Sequence, residues 1–187
     1  MAEALPPGST IGILGGGQLG RMLALAAARL GLKSHIYSDE ADPPAGQVSD
    51  SCTIGQFDDE SALAAFAREV DVVTCEFENV PARALEVASL GAPVHPPVQS
   101  FATAQDRVVE KDFMRAHSIE VAAYAAVSDE KSLADGLALV KAPAILKTRR
   151  LGYDGKGQRR VEALEPAGDD ELAEEIVPFD RELSVLA

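Results

Sequence analysis

The densest cationic chemistry in the sequence lies between residues 144 and 159. Ile145-Leu146-Lys147-Thr148-Arg149-Arg150 carries a lysine off an apolar run straight into Leu151-Gly152-Tyr153-Asp154-Gly155-Lys156-Gly157-Gln158. The closely spaced glycines let backbone amides close on an anion, and Lys147 and Lys156 supply compensating charge. That combination suits a triphosphate. Lys147, Arg149, Arg150, Lys156 and Arg159 are concentrated here although the chain holds 17 Lys and Arg against 30 Asp and Glu. A plain solvated turn is the competing reading.

A second glycine motif opens the chain. Gly15, Gly17 and Gly20 satisfy GxGxxG directly after an apolar run and before a segment of helical period, where backbone amides and the helix dipole bind phosphate. Asp39 sits near the position from which an acidic residue holds a dinucleotide ribose, so a dinucleotide site stays open. Against it, Gln18 and Arg21 put polar groups at the helix start, and glycines there also serve tight strand-to-helix packing. Glu76 and Asn79, in Cys75-Glu76-Phe77-Glu78-Asn79-Val80, lie at the C-terminal end of a strand, where open α/β sheets present ligands. They are candidates for hydroxyl recognition. Alternatively Glu78 and Asn79 cap the next helix, with Pro81 in its first turn. Arg107 and Lys111 share a helical face at i, i+4, which by itself reads as a surface helix with an ion pair.

The elements that must position these residues follow from periodicity. Strands are predicted at Thr10–Leu14, Ser34–Tyr37 and Val70–Cys75, with helices after Gly17, at Glu60–Glu69, and from Pro81 to Leu90. The first helix places Leu19, Met22, Leu23, Ala26 and Leu30 on one face and ends at Gly31. Alternation of this kind predicts an α/β domain, Rossmann-like, with a parallel sheet flanked by helices. The proline-rich APVHPPVQS reads as a stiff connection, dividing the chain into residues 1–100 and 101–187. Beyond it come a helix at Thr103–Ala116, a strand at Val121–Val127, a helix at Glu130–Val140 and a strand at Ala144–Thr148. A strand at Gln158–Ala163 completes a hairpin. An acidic helix follows at Asp169–Glu175, and the apolar run Leu183–Leu186 stops at Ala187 as though the chain continued.

Composition narrows the classes. Apolar residues make up 47% and charged residues 25% of 187 residues, the proportions of a globular chain with no apolar run long enough to span a membrane. A net charge of -13 repels phosphate polymers, so nucleic acid is not an expected partner. The N-terminus has neither a basic stretch nor an apolar run, which predicts a cytoplasmic protein. Cys52 and Cys75 read as reduced, partly buried thiols, and His35, His95 and His117 are too scattered for a zinc site.

Taken in order, GILGGGQLGRM, EFENVP, AQDRVVEKDF, ILKTRRLGYDGKGQ and VPFDRELSV resemble the 5-(carboxyamino)imidazole ribonucleotide synthases, ATP-grasp enzymes of purine biosynthesis. The resemblance runs from about residue 10 to 187. It implies a pre-ATP-grasp domain followed by an incomplete ATP-grasp domain, and an ATP- and bicarbonate-dependent carboxylation of 5-aminoimidazole ribonucleotide. By resemblance, Arg107 and Lys147 would contact ATP phosphates and Gly152, Tyr153, Asp154, Gly155, Lys156, Gly157 and Gln158 would cover them. Glu174, Glu175, Ile176 and Val177 would read the adenine, and Glu182 would hold its ribose. Gly16, Gln18, Leu19, Glu76 and Asn79 would bind the ribonucleotide, and Tyr153 and Asp154 would face the carboxylation site as catalytic residues. The resemblance further implies a homodimer and magnesium, with no metal ligand in this chain and the ligands expected beyond residue 187, so that this chain alone should not turn over. Another ATP-grasp ligase, a formate-using transformylase, an oxidoreductase resting on the first glycine motif, and a non-catalytic nucleotide-binding regulator are the alternatives.

Overall fold

The computed structural model describes residues 4–152, 155–168 and 170–184. The chain separates into two compact units, Met1–Ala102 and Thr103–Ala187.

The first unit is built on β1 (Thr10–Leu14), β2 (Lys33–Ser38), β3 (Ser51–Ile54) and β4 (Val72–Cys75). They form one parallel sheet in the order β3-β2-β1-β4. Short apolar runs buried on both faces are what parallel strands need. β3 is an addition to the three strands that periodicity predicts: Ser51-Cys52-Thr53-Ile54 is an edge strand, largely exposed, without the apolar run that marks a buried one. Cys52 is accordingly exposed rather than partly buried.

Helix α1 (Gln18–Arg29) follows β1. Its leucine face is not the one that packs. Gly20, Ala24 and Ala27 are buried, and Ala24 packs with Ile13, Ile36 and Ala45, whereas Leu19, Met22, Leu23 and Leu30 are exposed. Small side chains let the helix lie close to the sheet, and this close approach outweighs the larger apolar area of the opposite stripe. On the other face α2 (Glu60–Ala67) and α3 (Ala82–Ala88) bury Leu63, Phe66, Leu85 and Val87 against Leu14, Tyr37 and Val73. Each fully buried side chain of this size contributes roughly 1.5–3 kcal/mol.

The proline-rich stretch is more ordered than a bare connection. Val94 bridges Val73 in parallel beside β4, and α4 (Val98–Ala104) follows.

In the second unit the expected helix Thr103–Ala116 begins later, as α5 (Arg107–Ala116), because Asp106 is extended and caps it, accepting the Val108 N–H at 3.0 Å. Its sheet, in the order β5-β8-β6-β7, is antiparallel throughout. The strands are β5 (Tyr124–Val127), β6 (Ala144–Thr148), β7 (Gln158–Val161) and β8 (Glu171–Glu175). Helix α6 (Glu130–Val140), closed by an Asp129–Ser132 capping box, covers one face with Leu133 and Val140. The predicted β6–β7 hairpin is present. The predicted acidic helix is not: Glu171-Leu172-Ala173-Glu174-Glu175 is the strand between β5 and β6. Its helical composition yields to pairing on both sides and to cations that neutralise Glu171 and Glu174. Leu183 and Ser184 lie in no strand, and Val185, Leu186 and Ala187 lie outside the described residues.

Candidate functional site

In the first unit β1 lies between β2 and β4, so the chain reverses its direction across the sheet between β1 and β4. Ligand crevices of open α/β sheets lie at such a reversal, beyond the strands' C-terminal ends. The first glycine loop follows β1 there and Glu76 follows β4. The Glu76 carboxylate fills the loop: it accepts the N–H of Gly17 at 2.8 Å and of Gly20 at 2.6 Å. A Cβ on Gly15, Gly17 or Gly20 would come within 2.4, 2.6 and 2.6 Å of that same side chain. The glycines therefore make room for a carboxylate of the protein itself, and the amides expected to bind a phosphate are already paired.

Around this point Gly16 is pressed against Pro43 and Ser38, where a Cβ would lie 2.4 and 2.6 Å away. Its carbonyl accepts the Ala45 N–H at 2.9 Å. Arg21 donates to the Pro44 carbonyl at 3.1 Å and to Gln47 Oε1 at 2.9 Å, tying α1 to the loop after β2 rather than presenting a free cation. Gln18 and Leu19 are exposed on the first turn of α1, Asp39 is exposed, and Asn79 is half-buried. Helix α3 begins after Pro81, which as its N-cap offers no side-chain hydrogen bond. Burial and the neighbouring Glu76 carboxylate push the Cys75 thiol up to about 12, which disfavours the reactive thiolate.

In the second unit Lys147 occupies the ladder pair with Gln158 from which the β6–β7 loop springs. The loop closes on its own backbone: Thr148 N–H donates to the Gly157 carbonyl at 2.8 Å, and Gly155 and Gly157 take positive φ values of 75° and 72°. Arg107 grips the loop's entrance, its guanidinium donating to the carbonyls of Thr148 at 2.9 Å and Gly152 at 2.6 Å. Tyr153 and Asp154 lie outside the described residues.

Three of the five expected cations are committed to carboxylates of the protein itself. Arg149 pairs with Asp106 at 2.6 Å and Arg150 with the same carboxylate at 3.4 Å, while Arg159 binds Glu171 and, at 2.8 Å, Glu165. Burial raises the pKa of Asp106, yet Arg149 and the capped amides outweigh it and hold the group below the ordinary carboxylate range. Lys147 differs. Its ammonium lies 2.6 Å from Glu174 Oε2, and Lys111 lies 2.5 Å from Glu174 Oε1. Burial again raises the carboxyl's pKa and the two lysines more than reverse it, so Glu174 is held low.

Glu174 thus meets lysines through its side chain, at the end of β8. Glu175 accepts the Ala123 N–H at 3.2 Å. Ile176 and Val177 follow the strand with exposed side chains, and Glu182 is exposed in a segment without regular structure. The contacts of Asp106 and Lys111 join elements far apart in sequence. Asp106 carried the signal of a helix N-cap directly before a periodic segment. Lys111 carried only its spacing from Arg107, and nothing in sequence tells which carboxylate it would meet. Among the described residues no three His, Cys, Asp or Glu side chains gather to hold a metal ion. No described helix is long and apolar enough to cross a membrane.

Comparison with known proteins agrees with both units. Residues 8–105 match the family model described as the ribonucleotide synthetase preATP-grasp domain, and residues 112–187 match the ATP-grasp domain. A curated N5-carboxyaminoimidazole ribonucleotide synthase from Brucella melitensis is 44% identical, over 98% of this chain and 54% of its own length. The crystal structure of an ADP complex of N5-carboxyaminoimidazole ribonucleotide synthetase superposes with a TM-score of 0.87 at 35% identity, covering 96% of this chain and 50% of that one. An Aspergillus clavatus synthase, in complex with ADP and 5-aminoimidazole ribonucleotide, gives 0.80 at 28% identity, with 92% and 48% covered. The chain spans about half the length of the relatives it matches. The parallel sheet with its carboxylate-filled glycine loop and the antiparallel sheet with its lysine-rooted hairpin are the two parts of that match, and the chain belongs to the ribonucleotide synthetase preATP-grasp family.

Proposed function

We propose that this chain serves an ATP-dependent carbon–nitrogen ligase that carboxylates the exocyclic amine of 5-aminoimidazole ribonucleotide, using bicarbonate and releasing ADP and phosphate. The observation that carries the reading is Lys147 at the root of a glycine hairpin loop, within a segment that matches an ATP-grasp domain. Its relatives' names supply the substrate.

The γ-phosphoryl group passes to a bicarbonate oxygen and ADP leaves. The amine nitrogen then attacks the carboxyl carbon of the resulting carboxyphosphate, the bond from carbon to phosphate oxygen breaks, and phosphate departs with that electron pair while the amine gives up a proton. Such steps ask for positioning and charge neutralisation rather than a protein nucleophile, in keeping with the raised pKa of the Cys75 thiol. Lys147 and Arg107 would contact the phosphates, Arg107 from the loop's entrance, and Gly152, Gly155, Lys156, Gly157 and Gln158 would form the cover. The backbone of Glu174, Glu175, Ile176 and Val177 would read the adenine and Glu182 would hold its ribose, and Tyr153 and Asp154 would face the reacting carbon. Gly16, Gln18, Leu19 and Asn79 would hold the ribonucleotide, with Glu76 fixing the loop beneath them. Magnesium would arrive on the nucleotide's phosphates, and the protein would work in the cytoplasm as a homodimer. An oxidoreductase is disfavoured, because Glu76 already occupies the amides that a dinucleotide pyrophosphate needs.

Ligands that bind only the folded chain raise its melting temperature. ADP and 5-aminoimidazole ribonucleotide should each do so while NAD does not. A shift with NAD alone would overturn the proposal.

A further inference from the structure

Lys147 is the one lysine of the hairpin root, and its ammonium is already paired with Glu174 at 2.6 Å. A lysine and a carboxylate in contact are together neutral, so a phosphate approaching Lys147 would have to compete with Glu174 for it. The second lysine changes that balance. Lys111, on α5, contacts the other oxygen of Glu174 at 2.5 Å, leaving the three groups with one net positive charge. The trio is sheltered: side-chain exposures are 14% for Lys111, 12% for Glu174 and 27% for Lys147. Its least covered member is the one expected to meet phosphate. Tyr124 shields Lys111 from one side, with the ammonium 5.5 Å from the ring centroid. That ring is fixed by its hydroxyl, which donates to Asp112 at 2.5 Å, and by Arg115 lying 4.1 Å over it.

We propose that Lys111 is a positioning residue of the nucleotide site, which retains Glu174 when Lys147 turns to phosphate and so supplies the positive charge the site needs without touching the ligand. This rests on the function proposed above. Exchange of partners then costs little, because the carboxylate is never left unpaired in a sheltered place, the condition that makes a broken ion pair expensive.

The test is ADP affinity, measured by calorimetric titration of the full chain and its Lys111→Met, Lys111→Arg, Glu174→Gln and Lys111→Met/Glu174→Gln variants. Lys111→Met should weaken binding about tenfold, the scale of one charge contact in a partly buried site. Lys111→Arg should stay within about twofold of the parent, since it keeps the charge. The double variant should recover to the affinity of Glu174→Gln, because Lys111 matters only while Glu174 is charged. It also removes the unpaired carboxylate, so it keeps the test decisive if Lys111→Met folds poorly. A double variant as weak as Lys111→Met, or a Lys111→Met that binds like the parent, overturns the proposal and leaves the nucleotide site standing. A parent chain that binds no ADP overturns both.

Discussion

The Glu76 carboxylate lies 2.6 Å from the amide nitrogen of Gly20, closing the N-terminus of α1 with the protein's own anion. A negative group there is favoured by the unpaired amides and by the helix dipole. Truncating it strands two donors. Glu76→Ala should cost about 2 kcal/mol by urea denaturation, and Glu76→Gln less, because its carbonyl keeps one acceptor. Equal stability of parent and Glu76→Ala would remove the carboxylate from this role.

Gly20 sharpens the same point by sign. In an ordinary helix interior, Gly→Ala stabilises by about 1 kcal/mol. Here the added Cβ would sit 2.6 Å from Glu76 Oε2 and 2.9 Å from the Gly15 carbonyl, and overpacking of that kind costs about 1–3 kcal/mol. Gly20→Ala should therefore lower the melting temperature; a rise would show that the loop has room to spare.

Asp106 caps α5 and neutralises Arg149 and Arg150 with a side chain only 3% exposed. Asp106→Ala removes both the cap and a partner of a partly buried guanidinium, and should destabilise by about 3 kcal/mol. Its carboxyl is held below the ordinary value, so the stability it confers is complete above the unfolded pKa and is lost as pH falls through the lower, folded one. Acid titration of the melting temperature should be flatter in Asp106→Asn than in the parent, and an equally steep curve would contradict this.

His35 gives a second pH signature at higher pH. It is buried in β2, with Nε2 2.8 Å from Thr53 Oγ1 and Nδ1 3.5 Å from Glu69. Burial lowers its pKa below 6.5 and Glu69 only partly offsets that. The unfolded chain therefore binds a proton first, and stability falls as pH drops from the unfolded pKa toward the folded one. The loss between pH 7 and 5.5 should be smaller in His35→Gln, and an undiminished loss would assign it to other groups.

How far the residues announced these arrangements depended on how local the cause was. Thr10–Leu14, the Gly15 turn and α1 were legible because strand, glycine and helix periods succeed one another within 20 residues. The β6–β7 hairpin was legible for the same reason. β8 was not, because Glu171 and Glu174 look like helix surface until Arg159, Lys111 and Lys147 are brought to them from other elements. The packing face of α1 was hidden likewise: hydrophobicity favours Leu19, Met22 and Leu23, whereas the fit to the sheet selects Gly20, Ala24 and Ala27. At the site, Lys147 and the glycine loop were readable as phosphate chemistry. That Arg149, Arg150 and Arg159 serve internal carboxylates, and that Glu76 fills the first glycine loop, depends on contacts across 56 residues for Glu76 and Gly20 and 43 for Arg149 and Asp106.

Arg149, Arg150 and Arg159 are committed to carboxylates of the protein, which leaves Lys147 rather than these three as the proposed contact for the nucleotide's phosphates. Calorimetric titration of ATP into the parent chain, Lys147→Met and Arg159→Gln separates these cations. One saturable site is expected in the parent, with a loss of about tenfold or more in Lys147→Met and an affinity within about twofold of the parent in Arg159→Gln, whose guanidinium is committed to Glu165 and Glu171. Equal losses in the two variants, or unaltered binding by Lys147→Met, would contradict that contact.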